Sequence, residues 1–316
     1  MCVLNNILTC INILEILKVF LNAEKKFFEK CRYGFSGFTR GGFRLSCLVG
    51  IQPVLDIVAL TLQTSFIENE KNGTSLLLVA KPEAAKTSTI FEFRSLDFVS
   101  YYDEVTQKKL MDEFLPQVKQ GDVKTLLVPD LINCIEKQKS TRDQFLSIIK
   151  TGIDDAGIIR ISTYHKQLYY MGLSEGLRFN MVTAITTDNF RKIRKYLDST
   201  GLLSRFVPFT YDYPIDKLQE IFRIIEGNRK QKAVILPSIK KKMVVVPHNP
   251  HLFRELELVS SRIGSEYSGY GIRSQISLQR LAKASAVLDG RTTVKKKDIE
   301  RIIHLSKWMN FAFNPL

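Results

Sequence analysis

The sequence predicts an α/β core of three layers, helices on both faces of a parallel sheet, followed by a small all-α domain. Two observations carry this. Between Ser75 and Thr186 short apolar strands alternate with helical stretches, a rhythm that buries parallel strands under helices. Beyond His251 only helical periodicity remains, which suits a small bundle.

In chain order, Val3 to Leu21 is apolar but interrupted by Asn5, Asn6, Asn12, Glu15 and Lys18. That is too polar for a membrane span of roughly 20 residues, and it lacks the basic start and A-x-A site of a signal peptide. It suits an amphipathic helix against a neighbour better than one on a membrane surface. The stretch from Arg32 to Gly50, with glycines among Phe35, Phe38, Phe43, Arg32, Arg40 and Arg44, reads as irregular and basic. Val54, Ile57, Val58, Leu60 and Leu62 give helical spacing over Pro53 to Phe66, and a turn at Glu70 to Gly73 leads into a buried strand at Ser75 to Ala80. Thr125 to Val128 and Asn180 to Thr186 are apolar strands, Lys139 to Lys150 is a helix, and Leu218 to Glu226 is amphipathic. The chain then turns basic from Arg229 to Lys242, punctuated by Pro237, Pro247 and Pro250. The expected divisions are therefore an N-terminal segment (1–49), the α/β core (50–228), a basic linker (229–250) and the helical domain (251–316).

Lys and Arg total 46 against 32 Asp and Glu, a net charge of +14 in 316 residues. Such an excess favours polyanions, nucleic acid first and nucleotide phosphate beside it, or else it solvates helix surfaces. A 45% hydrophobic content supplies a core and excludes disorder for most of the chain. The five cysteines are scattered without a C-x-x-C, so neither a zinc grip nor a redox pair is expected, and a reducing cytoplasmic compartment fits. His248 and His251 form an H-x-x-H pair with no third ligand in view.

The sharpest local feature is the run Ala80, Lys81, Pro82, Glu83, Ala84, Ala85, Lys86, Thr87, Ser88, placed where a buried strand passes through a loop into a helix. The phosphate-binding pattern G-x-x-x-x-G-K-[ST] uses glycines to let backbone N–H groups wrap phosphates, a lysine to neutralise them and a hydroxyl to hold Mg²⁺. Ala80 and Ala85 stand where the glycines belong, while Lys86 and Thr87 keep their spacing. Alanine resists positive φ, at a cost on the order of 1 kcal/mol. The strand Thr125 to Val128 runs on to Asp130, suited to ordering a magnesium shell with Thr87; alone, the same pattern also suits a turn or helix cap. Leu131 follows Asp130 and cannot accept a proton from water.

Further along come L-R-F-N-M-V-T-A-I-T-T at Leu177 to Thr187, G-L-L-S-R-F at Gly201 to Phe206, G-I-R-S-Q-I-S-L-Q-R-L-A-K-A-S-A-V-L at Gly271 to Leu288, and V-K-K-K-D-I-E-R-I-I at Val294 to Ile303. In this order, from Gly50 to Leu305, the segments resemble the AAA+ P-loop ATPases of the branch holding the minichromosome maintenance helicases, the MoxR ATPases and the magnesium chelatases. The resemblance implies ATP and Mg²⁺ as ligands and a lid as the helical domain. It places Thr186 at sensor 1, where the helicases carry Asn, and Arg273 at sensor 2. Arg205 takes the place of an arginine finger that reaches a neighbour's γ-phosphate, which implies a ring of copies or of partner AAA+ subunits. Lost glycines, Leu131 and Thr186 together imply weak or absent hydrolysis.

A hairpin is expected between Gly157 and Arg178, where the helicases carry one that touches DNA. His165 and Lys166 would sit near its tip, with Tyr164, Tyr169 and Tyr170 gripping single strands or packing on the core. Lys240, Lys241 and Lys242 form either a phosphate-contacting patch or part of a solvated linker. Three functions follow: an ATP-binding protein acting on DNA, a non-catalytic scaffold or partner subunit, and a MoxR-like chaperone.

Overall fold

A computed structural model describes residues 44–45, 48–158, 160–161, 169–170, 176–226, 234–267 and 269–316. Val3 to Leu21, most of the basic segment after it, Tyr164, His165, Lys166, Arg229, Lys230 and Lys232 lie outside the described residues. The larger of two compact units comprises Ile51–Tyr213 and Pro237–Leu316. The smaller takes in Pro214–Leu236 and the chain up to Gly50. It contains helix α5 (Ile215–Ile225) and an antiparallel pair, Arg44–Leu45 with Val234–Ile235.

The larger unit is an α/β core with an all-α lid. Its sheet has five parallel strands: β1 (Ser75–Ala80), β2 (Val99–Tyr101), β3 (Thr125–Val128), β4 (Asn180–Thr186) and β5 (Phe206–Thr210), in the order β2-β3-β4-β1-β5. Every residue of β1 and β3 is buried, as expected of strands covered on both faces, which explains their unbroken apolar sequences. Helix α1 (Gln52–Gln63) opens the unit with Pro53 in its first turn, where a missing N–H costs nothing. Further core helices include α2 (Lys86–Glu92), α3 (Lys139–Gly152) and α4 (Thr187–Ser199).

Two strands were not legible in the sequence. β2 is three residues long, too short to show a period. β5 contains Pro208, which argues against a central strand; it lies at the sheet edge, where a missing donor is tolerated. Of the expected hairpin, the described residues show two antiparallel pairings: Ile158 bridges Leu177, and Arg160–Ile161 pairs with Tyr169–Tyr170.

The lid contains α6 (Glu257–Ser265), α7 (Ile272–Leu288) and α8 (Lys296–Leu305). Helix α7 packs on α6, α8 and the core helix α1. It carries Arg280 and Lys283 into the interior, 8% and 3% exposed, where Glu70 accepts from both at 3.0 and 2.5 Å. Asp155 takes the other end of Arg280 at 2.9 Å, so this network between core and lid is charge-neutral.

Candidate functional site

The loop after β1 takes the backbone shape its glycine-poor sequence resists. Ala85 has φ 58° and ψ 16°, and Glu83 has φ 63°, both in the left-handed region that costs a Cβ-bearing residue about 1 kcal/mol or more. Ala80, by contrast, is ordinary strand backbone paired with Thr186 of β4. Two residues just beyond β5 fasten the loop. The fully buried Tyr211 donates its hydroxyl to the Ala84 carbonyl at 2.6 Å, and Asp212 pairs with Lys81 at 2.5 Å. Neither was foreseeable from the local motif, because both contacts join residues some 130 positions apart in sequence.

Lys86 begins α2 and is 8% exposed. Its Nζ donates to the carbonyls of Ala80 at 3.0 Å and Lys81 at 2.5 Å. Burial lowers its pKa from 10.5 to about 8, against the opposing pull of Asp130. Asp130 follows β3 and accepts the Ile132 N–H at 3.2 Å. Burial holds its carboxyl above the usual range, against that hydrogen bond and the Lys86 charge. Lys86 and Asp130 thus face one another electrostatically, yet neither forms a contact ion pair among the described residues. A buried ammonium and a half-buried carboxylate coupled in this way fit a phosphate for the first and a cation for the second. Thr87, the next donor in the motif, is exposed beside them, as are Pro82 and Ser88. Leu131 is 1% exposed and its N–H is held by the Ala184 carbonyl at 2.8 Å, so nothing in that position polarises water.

These residues lie at the carboxyl ends of the strands, where open parallel sheets bind ligands. Arg205 and Arg273 lie at the other end. Arg205 closes the turn immediately before β5, whose first residue pairs with Ser75, the first of β1. Five strand steps separate that level from Ala80, roughly 17 Å at strand rise. Arg205 puts Nε and Nη2 on one oxygen of Asp154 at 2.8 and 2.7 Å, and its Nη1 on the Gly201 carbonyl at 2.5 Å. Arg273, from the start of α7, approaches the same oxygen at 3.6 Å and donates to the Ser204 hydroxyl at 3.3 Å. Burial works to raise the Asp154 carboxyl, but Arg205, with Arg273 beside it, holds it below the usual carboxylate range.

The other expected surface is only partly open. Lys240 bonds Gln63 through its backbone at both N–H and carbonyl, and the exposed Lys241 pairs with Asp97. Lys242 is exposed. His248 lies against Phe253, and no group of three metal-ligating side chains occurs among the described residues.

The geometry defines a class: a five-stranded parallel α/β core, with a loop after β1 that is left-handed at Glu83 and Ala85, and an all-α lid. Residues 262–306 match the AAA lid domain, taking in the end of α6, all of α7 and α8, and the turn after it. The match supports membership of the AAA+ ATPases. No curated protein matches the chain.

Proposed function

We propose that the chain is an AAA+ ATPase-like protein that binds ATP with Mg²⁺ at the Lys86 site, hydrolyses it weakly or not at all, and assembles with copies of itself. The observation that carries this reading is the pair of desolvated charges on Lys86 and Asp130, set beside a loop whose backbone is already left-handed at Ala85. Lys86 with the loop's N–H groups would hold the phosphates, and Thr87 and Asp130 the magnesium shell. The bound group supplies an activated phosphoanhydride; the chain's own residues bind and orient it. Leu131 supplies no base, which is why turnover is expected to be slow. Arg205 and Arg273 stand at the far end of the sheet from Lys86, so they serve a site on a neighbouring copy, in a ring. The net charge of +14, with Lys240 to Lys242 on the surface, favours DNA as the polymer acted on, in replication or remodelling in the cytoplasm.

The test is ATP binding with Mg²⁺ by the full chain and by Lys86→Ala, with oligomer size followed in the same samples. Lys86-dependent binding that drives assembly supports the reading; no binding at millimolar ATP sinks it. A second reading has its own observation: the buried Leu131, tied to the sheet, favours a non-catalytic scaffold or partner subunit for another AAA+ protein. That reading predicts unchanged function in Lys86→Ala. A MoxR-like chaperone shares the core but needs no DNA, and DNA affinity that falls steeply with salt argues against it.

A further inference from the structure

The cleft at the amino ends of the strands carries an imbalance that its neighbour does not. Arg280, Lys283, Glu70 and Asp155 neutralise one another. Beside them Arg205 and Arg273 share the single carboxylate of Asp154, two guanidinium groups against one negative charge. Thr74, Ser75 and Ser204 line the same cleft. Arg205 is 17% exposed and Arg273 55%, so the pair reaches from the interior to the mouth. Planar guanidinium groups bind carboxylate and phosphate by the same bidentate geometry. A carboxylate oxygen holding both arginines is therefore placed as a phosphate oxygen would be, with half the charge needed to satisfy them.

We propose that Asp154 is a built-in stand-in for phosphate: it holds Arg205 and Arg273 together and yields them to the polyphosphate of a nucleotide carried by a second copy. This rests on the reading that the arginines act on a neighbour, and it assigns Asp154 as a positioning residue that competes with the incoming anion. Exchange of one anionic partner for another keeps the arginines from ever standing unpaired in a half-buried cleft, which would cost more than either bound state. It also sets a threshold, since only an anion of higher charge than a carboxylate displaces Asp154.

The probe is inorganic tripolyphosphate, titrated calorimetrically into the full chain carrying Lys86→Ala, so that the phosphate loop is disabled. The expected result is saturable binding that tightens about tenfold on adding Asp154→Asn, a neutral replacement that keeps the acceptor oxygen to Arg205, and that is lost on adding Arg205→Ala. In otherwise unaltered protein, Asp154→Asn should lower the ATP concentration at half-assembly by a similar factor, while the Lys86-dependent part of ATP binding, at protein concentrations too low for assembly, stays within about twofold. A purely structural Asp154 would move the melting temperature and leave both midpoints in place, which overturns the proposal. So does weaker tripolyphosphate binding by Asp154→Asn, or none by the Lys86→Ala protein. Loss of ATP binding by the unaltered chain, with tripolyphosphate still taken up at Arg205, would instead overturn the phosphate-loop reading and leave the anion site standing.

Discussion

Lys86 and Arg205 stand at opposite ends of one sheet: Lys86 lies past the carboxyl end of β1, and Arg205 precedes the amino end of β5, its parallel neighbour. A nucleotide held by Lys86 is therefore out of reach of Arg205 in the same chain. Arg205→Ala is expected to leave ATP binding by dilute, unassembled protein within about twofold, because sites this far apart are energetically independent. It should also remove ATP-driven assembly. Fluorescent-nucleotide titration together with sedimentation velocity checks both halves, and a large loss of affinity in dilute protein would contradict the separation.

Ala85 supplies a second prediction, because the loop adopts a left-handed turn with a side chain that disfavours it. Ala85→Gly removes the Cβ penalty in the folded state and adds some entropy to the unfolded chain. The balance is expected to stabilise the protein by up to about 1 kcal/mol. ATP affinity should rise severalfold, as the loop's N–H groups gain freedom to follow the phosphates. Urea unfolding and nucleotide titration measure the two effects. The same substitution at Ala80, which has ordinary strand dihedrals and full burial, should instead cost about 0.5–1 kcal/mol.

The legible parts of this molecule were those whose cause is local. Ser75 to Ala80, Thr125 to Val128 and Asn180 to Thr186 announce themselves by unbroken apolar runs, and the lid by its helical spacing. Lys86 and Asp130 were visible as motif residues, but their burial and their electrostatic coupling were not, because the coupling depends on how β1 and β3 flank β4 in the sheet. Tyr211 and Asp212 were invisible as loop fasteners, and Asp154 as the partner of Arg205, since each meets its contact only through tertiary packing. The conformation of Ala85 ran against local propensity, the kind of conflict that collects at functional loops.

The buried Lys86 makes stability depend on pH in a stated direction. Its folded pKa of about 8 lies below the free value of 10.5, so the folded state is penalised where both forms are protonated, below pH 8. At about 1.4 kcal/mol per unit the penalty approaches roughly 3 kcal/mol; it fades as pH rises between the two values and is gone above 10.5. Lys86→Met should thus raise the melting temperature of the nucleotide-free protein at pH 7, with the advantage shrinking toward pH 10. In the unaltered protein, phosphate binding should restore the lysine's proton, so ATP binding near pH 9 is accompanied by proton uptake. Calorimetry in buffers of different ionisation heat reads that uptake directly, and its absence would separate Lys86 from the ligand.

Glu70 carries the last prediction, on how the lid is held. It accepts from Arg280 and Lys283, and Lys283 has no other ion-pair partner among the described residues while being 3% exposed. Glu70→Ala leaves that ammonium buried and uncompensated, which is expected to cost about 3–5 kcal/mol. Arg280 retains Asp155 and should contribute less to the loss. If the cost is the stranded charge and not lost packing, removing the ammonium as well must recover most of it. Glu70→Gln combined with Lys283→Met should therefore unfold in urea at a midpoint close to that of the unaltered chain, whereas Glu70→Gln alone falls well below it. Equal losses in the single and double variants would show instead that Glu70 acts by its shape at the junction of core and lid.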